Sequence, residues 1–217
     1  MLVKTYAAAV QGISAIEVTI EVNVSQGIRF LMVGLPDNAV KESHERIQAA
    51  ILVNGFCKPR HSLTINMAPA DIKKEGAAYD LPLAIGILTA EEEVKTALLE
   101  QYMIMGELSL DGTLQPIQGV LPMALAARKA GLKGMILPEQ NAREAAVVTG
   151  LEVYGLKNLL EVVRFLNETQ TFEPTHVDTA AEFATHAFTS DLDFSDVRGQ
   201  ENVRRAMEVA AAGGHNM

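Results

Sequence analysis

A chain of 217 residues, 48% hydrophobic and 21% charged, can bury roughly 70% of the surface its unfolded form exposes, so it needs no covalent staple to fold. One cysteine, no tryptophan and 5% aromatics exclude a disulfide framework and a multi-cysteine zinc site and argue against an aromatic platform for single-stranded nucleic acid. The net charge of −9 argues at face value against a nucleic-acid partner, while the lack of a ~20-residue apolar run and of a basic-then-apolar leader predicts a soluble, cytoplasmic protein with no membrane partner.

The first third alternates like β-structure. Lys4 to Val10 reads as a strand, and Val18, Ile20, Val22 and Val24 repeat every second residue in another. Phe30 to Val33 is a third, closed by Gly34-Leu35-Pro36. Asp37 then suits the N-cap of a helix whose apolar face is Val40, His44, Ile47 and Ile51, with Lys41–Glu45 and Glu42–Arg46 as i,i+4 pairs elsewhere on it. Ser62 to Met67 is a further strand, Ala68 to Asp80 is turn-rich, and Leu81 to Thr89 is a buried helix.

From Tyr102 onward, strands and helices alternate. Met103 to Leu108 is read as one strand, and Asp111-Gly112 as a hairpin-type turn. A helix over 119–129 follows, with Pro122 in its first turn and Gly131 beyond its end. Gly134 to Leu137 and Leu151 to Tyr154 are strands; Glu139 to Val147, Asn158 to Leu166 and Gln200 to Ala212 are helices. The fold class is mixed α/β with no internal repeat.

The charge is unevenly placed. Residues 168–197 hold seven acidic residues and no Lys or Arg, whereas residues 1–167 carry a net charge of only −3. The segment reads as an acidic, extended linker. Three parts are therefore expected: a folded domain over 1–167, the linker over 168–197, and the opening of a second module over 198–217. Gly213-Gly214 so near the last residue reads as a cut inside a larger protein.

Read for chemistry alone, these residues offer little. Cys57 reads as a lone buried cysteine, although Lys58 and Arg60 beside it would lower an exposed thiol's pKa. The five histidines lack metal-ligand spacing. Asp71, Glu75 and Asp80 read as carboxylates at turns and caps. Lys58 with Arg60, and Lys73 with Lys74, form basic pairs in loops, where they are either solvated or able to contact phosphates.

Three longer segments are more specific. They are Asn66-Met67-Ala68-Pro69-Ala70-Asp71-Ile72-Lys73-Lys74-Glu75-Gly76-Ala77-Ala78-Tyr79-Asp80-Leu81-Pro82, then Gly106-Glu107-Leu108-Ser109-Leu110-Asp111-Gly112, then Gly213-Gly214-His215-Asn216. Together they closely resemble the YifB/ComM type of magnesium-chelatase-like AAA+ ATPase. That resemblance implies an N-terminal domain like the proteolytic domain of Lon, of the ribosomal-protein-five domain-2-like fold, followed by an ATPase module. It implies a hexameric, ATP- and Mg2+-dependent motor acting on DNA, a branch-migration helicase in recombination and natural transformation. In Val197-Arg198-Gly199-Gln200, the resemblance places Val197, Gly199 and Gln200 on the adenine side of that module. The phosphate loop G-x-x-x-x-G-K-[ST] is not among these residues, so they are not expected to hold ATP and Mg2+ alone.

The Lon likeness can be followed residue by residue. The position of Lon's nucleophilic Ser is Ala78, and that of its Lys, in Pro116-Ile117-Gln118-Gly119-Val120-Leu121, is Leu121. A Ser–Lys pair works because a desolvated amine takes the hydroxyl proton, and both groups are absent. No catalytic residue is expected. The leading expectation is a non-proteolytic accessory and oligomerisation domain of a DNA motor, with Lys58, Arg60, Lys73 and Lys74 as nucleic-acid candidates. The alternatives are a protein-interaction module and, less favoured, a peptidase with another site. Nothing points to tetrapyrrole chemistry.

Overall fold

The structure, a computed structural model, describes residues 2–178 and 196–216. These belong to two units, divided between Val177 and Asp178.

The first unit is built on a hairpin. β1 (Leu2–Gln11) and β2 (Ser14–Ser25) pair antiparallel from Leu2↔Asn23 to Gln11↔Ser14, longer at both ends than alternation alone predicted. β2 continues antiparallel to β4 (Ser62–Ala68), and β3 (Phe30–Val33) adds parallel to β4 as an edge. On the other side β1 meets β5 (Tyr102–Ile104), then β8 (Gly134–Pro138) and β9 (Glu152–Leu156), all parallel. The sheet order is β3-β4-β2-β1-β5-β8-β9.

The strand expected from Met103 to Leu108 is two. Met105 still donates its N–H to Ile136 of β8, and the chain then leaves the sheet as Gly106 donates to Ala78. It then forms β6 (Glu107–Leu108), a ribbon with β7 (Leu114–Gln115) across the expected Asp111-Gly112 turn.

Two helices cover the sheet where it is most apolar. α1 (Asn38–Val53) starts as expected at Asp37, whose Oδ1 accepts the Val40 N–H at 2.8 Å. Arg46 gives its side-chain carboxylate hydrogen bonds to Asp80, while the charge of Glu42 adds a weaker attraction. α2 (Asp80–Ala90) is buried along its whole length, so it shows no polar face. Its Gly86 lies so close to Val22 and Thr5 that a Cβ would stand 2.8 Å from Val22 Cγ2. α3 (Val120–Lys129) and α4 (Glu139–Ala146) pack on each other, and α4 also packs on β9. α5 (Leu159–Leu166) is capped by Asn158, whose Oδ1 accepts the Glu161 N–H.

The compact unit runs on past residue 167. Phe172 packs near Phe165, ring centroids 6.2 Å apart, and Thr175 donates its N–H to Val153 at 2.7 Å. The first ten residues of the expected linker therefore lie on the domain; residues 179–195 of it lie outside the described residues.

The second unit contains α6 (Glu201–Gly213), close to the expected span. Gln200 before it and Gly214 after it both take left-handed backbone conformations. No helix among the described residues is long and apolar enough to cross a membrane.

Candidate functional site

Ala78 sits in a cleft of about 450 Å³ between the end of β1, the turn before α2 and the segment leading into α3. The turn is tightly fixed. Gly76, at φ 81°, donates its N–H to Asp37 Oδ2, and Asp37 in turn donates its own N–H to the Lys74 carbonyl at 3.0 Å. Ala78 accepts from the Gly106 N–H and Leu81 donates to the Gly106 carbonyl, both at 2.9 Å. Tyr79 donates its hydroxyl to the Ala8 carbonyl at 3.0 Å, and burial raises that phenol's pKa, so it is a fixed donor.

The opposite wall is held by Asn141 of α4. Its side chain accepts from the Ile117 N–H and donates to the Ile117 carbonyl, both at 2.9 Å. Gly119 then turns into α3 at φ 77°, and a Cβ there would stand 2.9 Å from Val10 Cγ2. Residue type and packing thus agree on glycine.

The cleft is lined by the polar groups of Lys73, Glu75, Tyr79 and Glu107 as well as by apolar side chains. Ala78 offers a methyl group. Leu121 is 39% exposed on the first turn of α3, is not among the cleft's lining residues, and donates its N–H to Glu144 Oε1. Of the carboxylates nearby, Glu75 binds Lys73, and Asp80 binds Arg46 at 2.7 and 3.0 Å and accepts the Leu108 N–H; Glu107 also lines the cleft. Burial pushes the Asp80 carboxyl up, and the Arg46 hydrogen bonds pull against it. Among the described residues no group of three or more His, Cys, Asp or Glu is placed to hold a metal ion.

The basic candidates separate. Lys58 and Arg60 are exposed on the loop between α1 and β4. Lys73 is exposed but paired with Glu75. Lys74 is not a surface residue: it has no exposed area, and its ammonium donates to the carbonyls of Gly34, at 2.9 Å, and Pro69. The bridge between Pro36 and Lys74 draws the second lysine of the doublet inside, which a pattern of two adjacent lysines does not reveal. Burial lowers its pKa. Cys57, expected to be buried, is exposed.

In the second unit Val197, Gly199 and Gln200 form the turn into α6; Gly199 has φ 71°, Gln200 has φ 53°, and Arg204 Nη1 donates to the Val197 carbonyl at 3.2 Å. Sequence reasoning missed Tyr79 and Asn141, which shape the cleft, and Arg29, a cation near Lys58; only Arg29, following the Gly27 turn, carried a local signal.

Comparison with known proteins agrees with this architecture. The family model described as subunit ChlI of Mg-chelatase matches residues 20–141, and that described as magnesium chelatase, subunit ChlI, matches residues 193–217. The chain is 40% identical over 214 residues to "Competence protein ComM" of Haemophilus influenzae, covering 98% of this chain and 42% of that protein. It is 39% identical over 211 residues to "Uncharacterized protein YifB" of Escherichia coli, covering 96% and 40%. "Lon protease 2" of Bacillus subtilis is 27% identical over 145 residues, covering 65% and 26%, which accords with the mixed α/β fold of Lon type. The chain spans less than half the length of these relatives.

Proposed function

The chain belongs to the family of ChlI subunits of Mg-chelatase, and from that premise we propose that it is a non-proteolytic accessory and ring-organising domain of an ATP-driven motor acting on DNA in recombination. What supports the reading is the cleft itself: Ala78, at the position that the Lon resemblance gives to the nucleophile, lines it with a methyl group only. The name of the ComM relative, a competence protein, supports DNA as the substrate.

In this reading ATP and Mg2+ are held by the module that α6 opens, with Val197, Gly199 and Gln200 beside the adenine, and the working form is a hexamer. Lys58, Arg60 and Lys73 meet phosphates as a sequence-independent, salt-sensitive surface. The retained cleft supports a second reading, in which the domain recruits a protein partner.

The test compares the longer protein with and without residues 1–177. Loss of ring assembly and of DNA strand migration, with ATP hydrolysis retained, is the expected result. Unchanged assembly and migration would end this reading. A partner that stays bound after nuclease treatment, and is lost with the domain, would favour the second.

A further inference from the structure

Away from the Ala78 cleft, a second cavity of about 420 Å³ lies between α1, the start of β3 and the 56–61 loop. Its floor is apolar: Ile47, Ile51, Leu63 and Ile87 are at most 3% exposed. One wall is a pair of rings, Phe30 and His44, with centroids 3.9 Å apart and planes tilted by 37°. The His44 Nε2 lies 2.5 Å from the Gln48 side-chain nitrogen, so this wall also presents a polar edge.

The mouth has the opposite character. Arg29 and Lys58 line it, both exposed and neither with a carboxylate partner among the described residues. Glu91, near the same mouth, is engaged by His61 at 3.1 Å. Arg60 follows on the same loop, also exposed and without a carboxylate partner among the described residues.

We propose that this cavity takes one unpaired base of a DNA single strand, with the adjoining phosphates held by Arg29 and Lys58. The apolar floor and the rings suit the faces of a flat ring system. An uncharged hydrocarbon would leave the two cations of the mouth without a counter-charge. A free nucleotide would occupy one cation, whereas Arg29, Lys58 and Arg60 provide for successive phosphates of a strand. One pocket needs one aromatic wall, so the low aromatic content is no obstacle. The proposal rests on the DNA-handling reading above and adds to it a site that distinguishes a base from a bare phosphate.

The test is fluorescence anisotropy with the 217-residue chain at low salt, using a short labelled oligothymidylate and an abasic strand of the same length. The intact strand should bind about tenfold more tightly, the size of one base–aromatic contact. Phe30→Leu should remove most of that preference, and Arg29→Glu should weaken both strands. Equal affinity for the two strands would overturn the base pocket while leaving DNA contact standing. Binding to neither would overturn both. Displacement of the strand by an equal concentration of thymidine monophosphate would overturn the assignment to a strand. The intact-versus-abasic comparison needs no variant, so it decides the matter even if Phe30→Leu does not fold.

Discussion

Arg46 closes on Asp80 with two hydrogen bonds, Nε to Oδ2 at 2.7 Å and Nη2 to Oδ1 at 3.0 Å, on a carboxylate with no exposed surface. Asp80 begins α2 immediately beyond the Ala78 turn, so this pair locks α1 to the segment that shapes the cleft. Arg46→Ala leaves a buried carboxylate uncompensated and should destabilise the chain by about 3–5 kcal/mol. The double variant Arg46→Met/Asp80→Leu should recover part of that loss. Urea unfolding checks both; a double variant no more stable than Arg46→Ala contradicts the pairing.

His44 should make stability fall in mild acid. Burial lowers its pKa below the ordinary 6.5. As pH drops through that value the unfolded chain takes the proton first, so stability is complete above 6.5 and declines towards the lower folded value. His44→Gln should flatten this part of the pH profile. An unchanged slope would show that other groups cause it.

Lys73 and Lys74, adjacent in sequence, should behave differently. Lys74→Met removes the donor to Gly34 and Pro69 and should change unfolding while leaving DNA affinity as it was. Lys73→Glu should leave unfolding nearly unchanged, since the Lys73–Glu75 pair is solvent-exposed and screened, and should weaken DNA binding. Parallel melting and anisotropy curves separate the two effects.

Ala78→Ser should not create a peptidase. Lys73, a cation lining the cleft, is hydrogen-bonded to Glu75, which raises its pKa and keeps it protonated. A general base must be able to accept a proton. Casein hydrolysis by the purified variant should equal the buffer blank.

Much of the scaffold was legible. Asp37 announced α1 through its capping chemistry, the Val18–Val24 alternation gave β2, and Asp111-Gly112 marked the β6–β7 turn. What escaped depended on contacts distant in sequence. Met103 to Leu108 has a continuous strand pattern, yet after Met105, which still bonds to Ile136 of β8, Gly106 turns out of the sheet and donates to Ala78. Lys74 reads as a loop lysine until the turn after β3, with Gly34 and Pro36, is brought beside it. Phe172 sits in an acid-rich run, and its aromatic ring, not the charge count, determines that 168–177 stays on the domain. At the cleft, the methyl group of Ala78 is plain in the sequence, whereas that Leu121 does not line the cleft, and that Asn141 clamps Ile117, follow from no sequence periodicity.

The central claim is that this chain presents a phosphate-contacting surface to DNA. It is tested most directly by measuring duplex DNA affinity of the 217-residue chain across a salt series, for the native sequence and for Lys58→Glu/Arg60→Glu/Lys73→Glu. The account predicts that log affinity falls linearly with log salt and that the triple variant binds at least about tenfold more weakly with a shallower slope. An affinity and slope unchanged by the three substitutions would contradict it.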